Sequence, residues 1–180
     1  MNRAETRRQW KQAEKAAKNA KSTRLTSPSP VQQVLTIEQQ PLTIQQSLDL
    51  AVRHHTAARL PQAENIYQQI LQADPNQLVA LHHLGLIAHQ LGKNDSAVDL
   101  ITRAIALKPD YAVAHHNLGL VFRNLGQLDE AVASYQKALA INPDHAVAHH
   151  NIGLVLRSLG QLDEAVVSYQ KALAINPDYA

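Results

Sequence analysis

Histidine is the residue of this chain most able to do chemistry, with ten copies among 180 residues. Eight of them form the adjacent pairs His54/His55, His82/His83, His115/His116 and His149/His150. His145 and His149 are four residues apart, a spacing that places two ring nitrogens on one face of a helix. Such residues are typical of metal sites, proton transfer and recognition surfaces.

A metal site is nevertheless not predicted. Adjacent helical residues point about 100° apart, so the pairs do not chelate one ion. Histidines at equivalent places in neighbouring helices are about 8–10 Å apart, whereas zinc needs nitrogens at about 2.0–2.1 Å. No cysteine is available to complete a ligand set. We therefore expect imidazoles that are packed in the interior or that line a surface.

Catalytic motifs are also missing from the sequence. It contains no GxSxG elbow, no HExxH, no phosphate-binding glycine loop and no dinucleotide fingerprint. The sequence therefore predicts a protein without enzymatic activity of its own and without a cofactor.

The histidine pairs recur because the chain is built from a 34-residue unit. Residues 109–142 and 143–176 differ at only five positions, and weaker copies occupy 41–74 and 75–108. In chain order, these four ranges are called units 1 to 4. A fixed period of this length predicts a stacked array, because one unit cannot bury its apolar face alone.

Each unit has the pattern of two helices. In unit 3, Gly126 is expected to end the first helix, Asp129 to cap the second, and Pro143 to stop it. Gly119 and Ala131 are the small residues at which the two helices are expected to approach most closely. The equivalent pairs are Gly85/Ala97, Gly153/Ala165 and Ala51/Ala63.

These positions resemble the tetratricopeptide repeat family. The signature residues are Leu118, Gly119, Ala131, Tyr135, Ala138 and Pro143 in unit 3, and Ile152, Gly153, Ala165, Tyr169, Ala172 and Pro177 in unit 4. The family's early tryptophan is replaced by Ser47, Leu81, His115 and His149, so the two histidines are expected to be packed. The resemblance implies an all-α, right-handed α-solenoid whose first helices line a concave groove that binds peptides.

Carried over onto this sequence, the resemblance predicts which side chains line the peptide-binding groove. They are Gln45, Leu48, Asp49, Val52, His55 and Thr56 in unit 1; Val79, His82, His83, Leu86, His89 and Gln90 in unit 2; Val113, His116, Asn117, Leu120, Arg123 and Asn124 in unit 3; and Val147, His150, Asn151, Leu154, Arg157 and Ser158 in unit 4. Asn117 and Asn151 are expected to pair with a partner's backbone amides, and Arg123 and Arg157 to attract acidic side chains. The alternative is that these are solvated polar positions copied by duplication.

Charge is distributed unevenly along the chain. The net charge of +2 combines +6 over residues 1–30 with −4 over the remainder. Residues 1–24 are expected to form a basic helix or tail, and the Pro/Ser/Gln-rich residues 25–40 a linker. Contact with a nucleic acid or an anionic surface is expected only through residues 1–24. No long apolar run or leader segment is written, so no membrane span is predicted and the cytoplasm is the default location.

The sequence favours a protein-interaction scaffold with a protein or peptide partner. The rival hypothesis is the substrate-recognition region of a larger transferase, because units 3 and 4 are similar to the repeats that precede the catalytic half of bacterial O-GlcNAc-transferase-like proteins. A third hypothesis is an adaptor tethered to nucleic acid through the basic head. Residues 177–180 read as the start of a truncated fifth unit, which leaves three alternatives for the last helix: a fragment of a longer protein, an end-to-end dimer, or an exposed end.

Overall fold

The computed structural model describes residues 42–179, where all regular structure is helical. Its α-helices are α1 (Ile44–Thr56), α2 (Leu60–Ala73), α3 (Leu78–Gln90), α4 (Asn94–Leu107), α5 (Ala112–Asn124), α6 (Leu128–Ile141), α7 (Ala146–Ser158) and α8 (Leu162–Ile175), followed by a 3₁₀ turn at Pro177–Tyr179. Each 34-residue unit supplies one odd-numbered first helix and one even-numbered second helix. This confirms the predicted all-α solenoid; the predicted basic head and linker lie outside the described residues.

The array curves with its first helices on the inside. Each helix packs against the next one along the chain, and in addition α1 contacts α3, α3 contacts α5, and α5 contacts α7. Within residues 42–179, no two successive second helices are in contact in this way. Because one row of helices is closer together than the other, the first helices form the inner, concave side of the curve.

Gly126 ends the first helix of unit 3, as predicted. Its φ of +75° lies in the left-handed region that favours glycine. The N–H of Gln127 donates to the carbonyl of Phe122 at 2.9 Å, and the N–H of Gly126 donates to that of Arg123 at 3.1 Å. This pair of bonds satisfies the last carbonyls of α5 and turns the chain sharply into α6.

The predicted cap of the second helix was wrong. α6 begins at Leu128, and its N-cap residue is Gln127, which makes no side-chain capping bond. Because the glycine turn is so tight, Asp129 already lies inside the first turn, beside Glu130. Both carboxylates then stabilise α6 through the positive end of its dipole.

Unit 1 makes the same turn without a glycine. Ala58 occupies the corresponding place with a φ of +55°, the only non-glycine residue with positive φ among residues 42–179. We expect Ala58→Gly to raise the free energy of unfolding by about 1 kcal/mol, because the methyl group strains the left-handed backbone. Urea unfolding of both proteins measures the change. The control is Ala57→Gly, where φ is −84°; a gain of equal size there would contradict the explanation.

The core lies between the two helices of each unit, where a glycine of the first helix faces a large side chain of the second. A Cβ placed on Gly119 would lie 2.6 Å from Cε1 of Tyr135, and one placed on Gly153 would lie 2.7 Å from Cε1 of Tyr169. These distances leave no room for any side chain at the two glycines. In units 3 and 4, the two helices therefore pack together through a contact between one glycine and one tyrosine ring.

The predicted closest approach of the two helices at each glycine–alanine pair stays a prediction, but the side chain nearest to each glycine belongs to a larger residue. In unit 2, a Cβ on Gly85 would lie 2.7 Å from Cγ1 of Ile101, whereas the nearest atom of Ala97 is its carbonyl oxygen, at 3.5 Å. In units 3 and 4 the side chain nearest to the glycine is the tyrosine ring. The larger side chain one turn further along the second helix reaches the glycine first, because a methyl group is too short to do so.

The signature alanines are nevertheless part of the core. Ala97 and Ala131 are fully buried, and Ala165 is 2% exposed. Ala97 packs with Ile101, and Ala131 packs with Tyr135. Their role is thus to fill the space between helices, and they have no part in a binding surface.

The last helix carries an exposed apolar face. Val166 is 52% exposed, whereas the equivalent Val132 of α6 is half-buried because it packs against the cluster that includes α7. Leu162, Val167, Leu173 and Ile175 are also exposed. Self-association through this helix stays a prediction. None of the helices described is long and apolar enough to cross a membrane.

Candidate functional site

The first helices present a continuous row of side chains on the inner side of the array. Among its exposed or half-buried members in units 2–4 are Val79, Leu86, His89, Val113, Leu120, Arg123, Asn124, Val147, Leu154, Arg157 and Ser158. We call these residues the inner surface. Val113 is 46% exposed and Val147 is 38% exposed, so the row offers apolar contacts flanked by polar groups.

A chain of hydrogen bonds lies beneath the inner surface and links units 2, 3 and 4. Asn117 donates from Nδ2 to Nε2 of His82 at 2.9 Å, and Asn151 donates from Nδ2 to Nε2 of His116 at 2.9 Å. A ring nitrogen that accepts carries no proton, so both imidazoles are neutral and protonated on Nδ1. We call this set of residues, with Tyr111 and Arg123, the inner hydrogen-bond chain.

The remaining ring and amide atoms extend the same chain. His116 donates from Nδ1 to Oδ1 of Asn117 at 3.3 Å, and His82 donates from Nδ1 to the hydroxyl oxygen of Tyr111 at 3.2 Å. Arg123 donates from Nη1 to Oδ1 of Asn151 at 3.2 Å. The bonds therefore run without interruption from Arg123 through both asparagines and both histidines to Tyr111.

This arrangement gives the asparagines a structural role. Asn151 and His116 are each 8% exposed, His82 is 3% exposed and Leu48 of the first unit is also buried, which corrects the prediction that these four residues line the surface of the groove. Because the amides of Asn117 and Asn151 are paired across units, they stabilise the stacking of successive first helices. The pairing of these amides with the backbone of a partner stays a prediction.

Burial opposes the charging of the two histidines in the chain. Burial, together with smaller effects of the neighbouring His83 and His55, lowers the pKa of His82 to about 4. Burial also lowers the pKa of His116. The neighbouring His145 and Arg123 lower this pKa as well, whereas the hydrogen bond to Asn117 raises it. Both rings are therefore neutral at pH 7, as their acceptor role requires.

His115 and His149 occupy the place of the family's tryptophan and are packed, as predicted. Each ring is buried, and Nε2 donates to the carbonyl of Pro109 or Pro143 respectively at 2.9 Å. These histidines tie the start of a first helix to the preceding turn, so their role is structural.

His83 and His150 were predicted to line the groove and are half-buried. The ring of His83 is stacked on that of Tyr67, and the ring of His150 is tilted against that of Tyr169, each with 5.6 Å between the ring centroids. Both imidazoles thus pack on a tyrosine of a second helix, which limits the area that they offer to a ligand.

Some histidines from neighbouring units are closer together than the distance of about 8–10 Å predicted for histidines at equivalent positions. The ring centroids of His116 and His145 are 4.9 Å apart, and those of His55 and His83 are 5.7 Å apart. Both contacts join different positions of the repeat. Within residues 42–179, no three His, Asp or Glu side chains converge so as to hold a metal ion.

A second polar contact between units was missed from the sequence. The Nδ1 atom of His89 is 2.9 Å from Oδ1 of Asn94 in the same unit. Its Nε2 atom is 3.5 Å from Nδ2 of Asn124 in the next unit. A signal was present: 82/117, 116/151 and 89/124 are all His–Asn pairs separated by 35 residues, one period plus one. This offset places the asparagine beside the histidine of the preceding unit.

Charge is segregated between the two rows of helices. α3, α5 and α7 contain no Asp or Glu, and Arg123 and Arg157 are their only permanently charged residues. The second helices carry carboxylates in their first turns, namely Asp95, Asp129, Glu130, Asp163 and Glu164. The inner surface of units 2–4 is thus positive and the outer row is negative.

Comparison with known proteins identifies the architecture. A family model described as "Tetratricopeptide repeat" matches residues 110–178, and one described as "TPR repeat" matches residues 85–126. Together they span more than half of the chain. No curated protein matches in sequence.

Solved structures with the same fold include several of MamA. One is 29% identical, covers 82% of this chain and 85% of that chain, and has a TM-score of 0.72. A MamA structure from Desulfovibrio magneticus RS-1 is 18% identical over 76% of this chain and 77% of that chain, with a TM-score of 0.70, and so shows the fold alone.

An O-GlcNAc transferase structure from Thermobaculum terrenum is 33% identical over 63% of this chain, with a TM-score of 0.61. This chain covers 22% of that protein. The helical pairs, the glycine turns and these matches agree: the chain is a tetratricopeptide repeat protein, built as a protein-interaction scaffold.

Proposed function

We propose that this chain is a non-catalytic scaffold that binds an extended segment of a partner protein along the inner surface. The observation that carries the proposal is the contact between successive first helices, which lines up the exposed side chains of units 2–4 into one strip. Val79, Val113 and Val147 recur at one edge of the strip, and Leu86, Leu120 and Leu154 recur along its middle.

The form of the strip favours an extended ligand over a small molecule. Apolar contacts recur once per unit, which suits a chain that places side chains at regular intervals. The inner hydrogen-bond chain holds neighbouring first helices in a fixed relation, so the strip is organised before a ligand arrives. Preorganisation of this kind reduces the entropic cost of binding.

The test uses peptides displayed at random. A library of peptides of about 15 residues, long enough to span three units when extended, is selected against the full chain, and hydrogen exchange maps where the selected peptides bind. We expect protection of α3, α5 and α7. Leu120→Glu combined with Leu154→Glu should reduce affinity by about tenfold or more, because each buries a charge in an apolar contact.

The matched control is Ala133→Glu combined with Leu162→Glu, which places the same charges at exposed positions of second helices. Affinity should be unchanged in this control. The proposal would be refuted if the selected peptides protected only α4, α6 and α8 from hydrogen exchange. It would also be refuted if the parent, the Leu120/Leu154 variant and the control variant bound the peptides equally well.

The match to a glycosyltransferase supports a second candidate function, in which these units recognise substrates for a catalytic domain. The observation in favour is the 33% identity to part of the Thermobaculum terrenum O-GlcNAc transferase. The genomic reading frame decides between the two: continuation beyond Ala180 into a catalytic domain supports this candidate, and a stop codon favours the scaffold alone.

A further inference from the structure

We infer that the segment bound by the inner surface is acidic, with carboxylates that pair with Arg123 and Arg157. The inference rests on the proposed function, since it assigns a chemical class of partner to the same surface. It is carried by the charge segregation between first and second helices and by the setting of the two arginines.

Both arginines lack an acidic partner within residues 42–179. In that range the ion pairs formed by lysine or arginine are Lys93 with Glu64 at 3.7 Å and Arg103 with Asp99 at 3.7 Å. Neither involves a residue of the inner surface. A ligand carboxylate could therefore bind Arg123 or Arg157 without displacing a carboxylate of residues 42–179.

Arg123 is held in a binding-ready position. It is half-buried, and its Nη1 donates to the buried Asn151, while the guanidinium keeps further N–H donors. Arg157 occupies the same place one unit later and is exposed. Partial burial strengthens a charge-assisted bond, and a guanidinium can bind a carboxylate through two parallel hydrogen bonds.

Spacing narrows the class of segment. α5 and α7 are in contact, and packed helices have axes about 8–10 Å apart. An extended chain advances about 3.3 Å per residue, so two carboxylates two or three residues apart can reach both arginines.

The absence of carboxylates from the same helices completes the electrostatic argument. Because α3, α5 and α7 contain no Asp or Glu, an acidic segment meets no like charge on these helices. A basic segment would instead meet both arginines without compensation. The inner surface therefore selects against basic partners as well as for acidic ones.

Two labelled peptides and the full chain test the inference by fluorescence anisotropy. The acidic probe is about 12 residues long, with glutamate at every third position and leucine or serine elsewhere, and the neutral probe has glutamine for each glutamate. We expect the acidic probe to bind about tenfold more tightly or better in about 50 mM salt, and this preference to shrink in about 500 mM salt.

Variants locate the effect. Arg123→Gln with Arg157→Gln should remove the preference for the acidic probe. Arg123→Lys with Arg157→Lys should keep part of this preference, because the charge is kept but the two parallel hydrogen bonds of a guanidinium are lost. Arg103→Gln with Lys93→Gln removes the same net charge at other exposed sites and should leave the preference intact. Circular dichroism melting confirms that each variant is folded.

The outcomes separate this inference from the proposed function. The inference that the bound segment is acidic would be overturned by equal affinity for both probes or by no binding of either probe. It would also be overturned if the preference for the acidic probe survived Arg123→Gln with Arg157→Gln. Binding of display-selected peptides to the inner surface would then still support the proposed function. Failure of those selected peptides to bind there would refute both.

Discussion

Gly119→Leu is expected to lower the free energy of unfolding by about 2 kcal/mol. An added Cβ alone would lie 2.6–2.9 Å from three atoms of the Tyr135 ring, which is fully buried. Overpacking costs about 1–3 kcal/mol, and the four carbon atoms added by Gly119→Leu place it at the upper end of this range. The better helix propensity of leucine recovers about 1 kcal/mol. Urea unfolding monitored by circular dichroism measures the difference.

The control for Gly119→Leu is Ala133→Leu, which adds the side chain at an exposed position of α6. We expect little change there. Gly119→Ala should fall between the two, since unit 1 accommodates Ala51 and Tyr67 in the same core with both residues buried. A Gly119→Leu protein that unfolds at the same urea concentration as the parent would contradict the assigned contact between Gly119 and Tyr135.

Acid is expected to weaken the array through His82. The pKa of His82 is lowered to about 4 in the folded protein, chiefly by burial, whereas in the unfolded chain it lies near about 6.5. Between these values the unfolded chain binds more protons, so the stabilisation is complete above about pH 6.5 and is lost as the pH falls towards about 4. At about 1.36 kcal/mol per pKa unit, the contribution lost by about pH 4.5 is about 2–3 kcal/mol.

His82→Gln tests this assignment because glutamine can still accept from Asn117 but does not titrate. Between about pH 7 and about pH 4.5, the free energy of unfolding of this variant in urea should fall by about 2–3 kcal/mol less than that of the parent. His116 and His145, whose pKa values are also lowered, account for part of the stability that the His82→Gln variant still loses in acid. His83 contributes in the same direction, since burial lowers its pKa too.

His89→Gln is the matched control for the acid effect. His89 lies on the same helix as His82, but its short bond joins Nδ1 to Oδ1 of Asn94 and it is outside the inner hydrogen-bond chain. We therefore expect the variant to lose as much stability in acid as the parent does. If His82→Gln and His89→Gln gave the same loss, His82 would not be the group responsible.

Much of the fold could be predicted from the sequence because it depends on residues within one unit. The turn at Gly126 needs only a residue that tolerates positive φ next to the end of a helical pattern. The packing of His115 and His149 follows from their place in the repeat. The cap at Asp129 was wrong because the number of residues in the turn, and not the identity of the acid, decides where α6 begins.

The side chain that meets each glycine was not predicted. The small size of Gly85 and Ala97 predicts where the two helices approach, but it does not specify which side chain fills the space beside the glycine. The structure shows that the small residue of one helix receives the large residue of the other, here Ile101. Two small residues facing each other would leave a void, which close packing does not favour.

The inner hydrogen-bond chain was harder to predict because its bonds join different units. Whether Asn117 meets a partner or His82 depends on how one first helix is placed against the next, and the pattern within one unit does not specify that placement. Exposure could not be predicted for the same reason. Val132 and Val166 are the same residue in nearly identical helices, yet only Val132 is covered.

The offset of 35 residues between each histidine and its asparagine has a consequence for how such an array can lengthen. A copy that keeps both residues, as unit 3 does, brings one acceptor for its successor and one donor for its predecessor. Gene duplication in phase therefore adds a complete rung of bonding without any compensating mutation. A copy inserted out of phase would bury an imidazole nitrogen and an amide with no counterpart, and would be selected against.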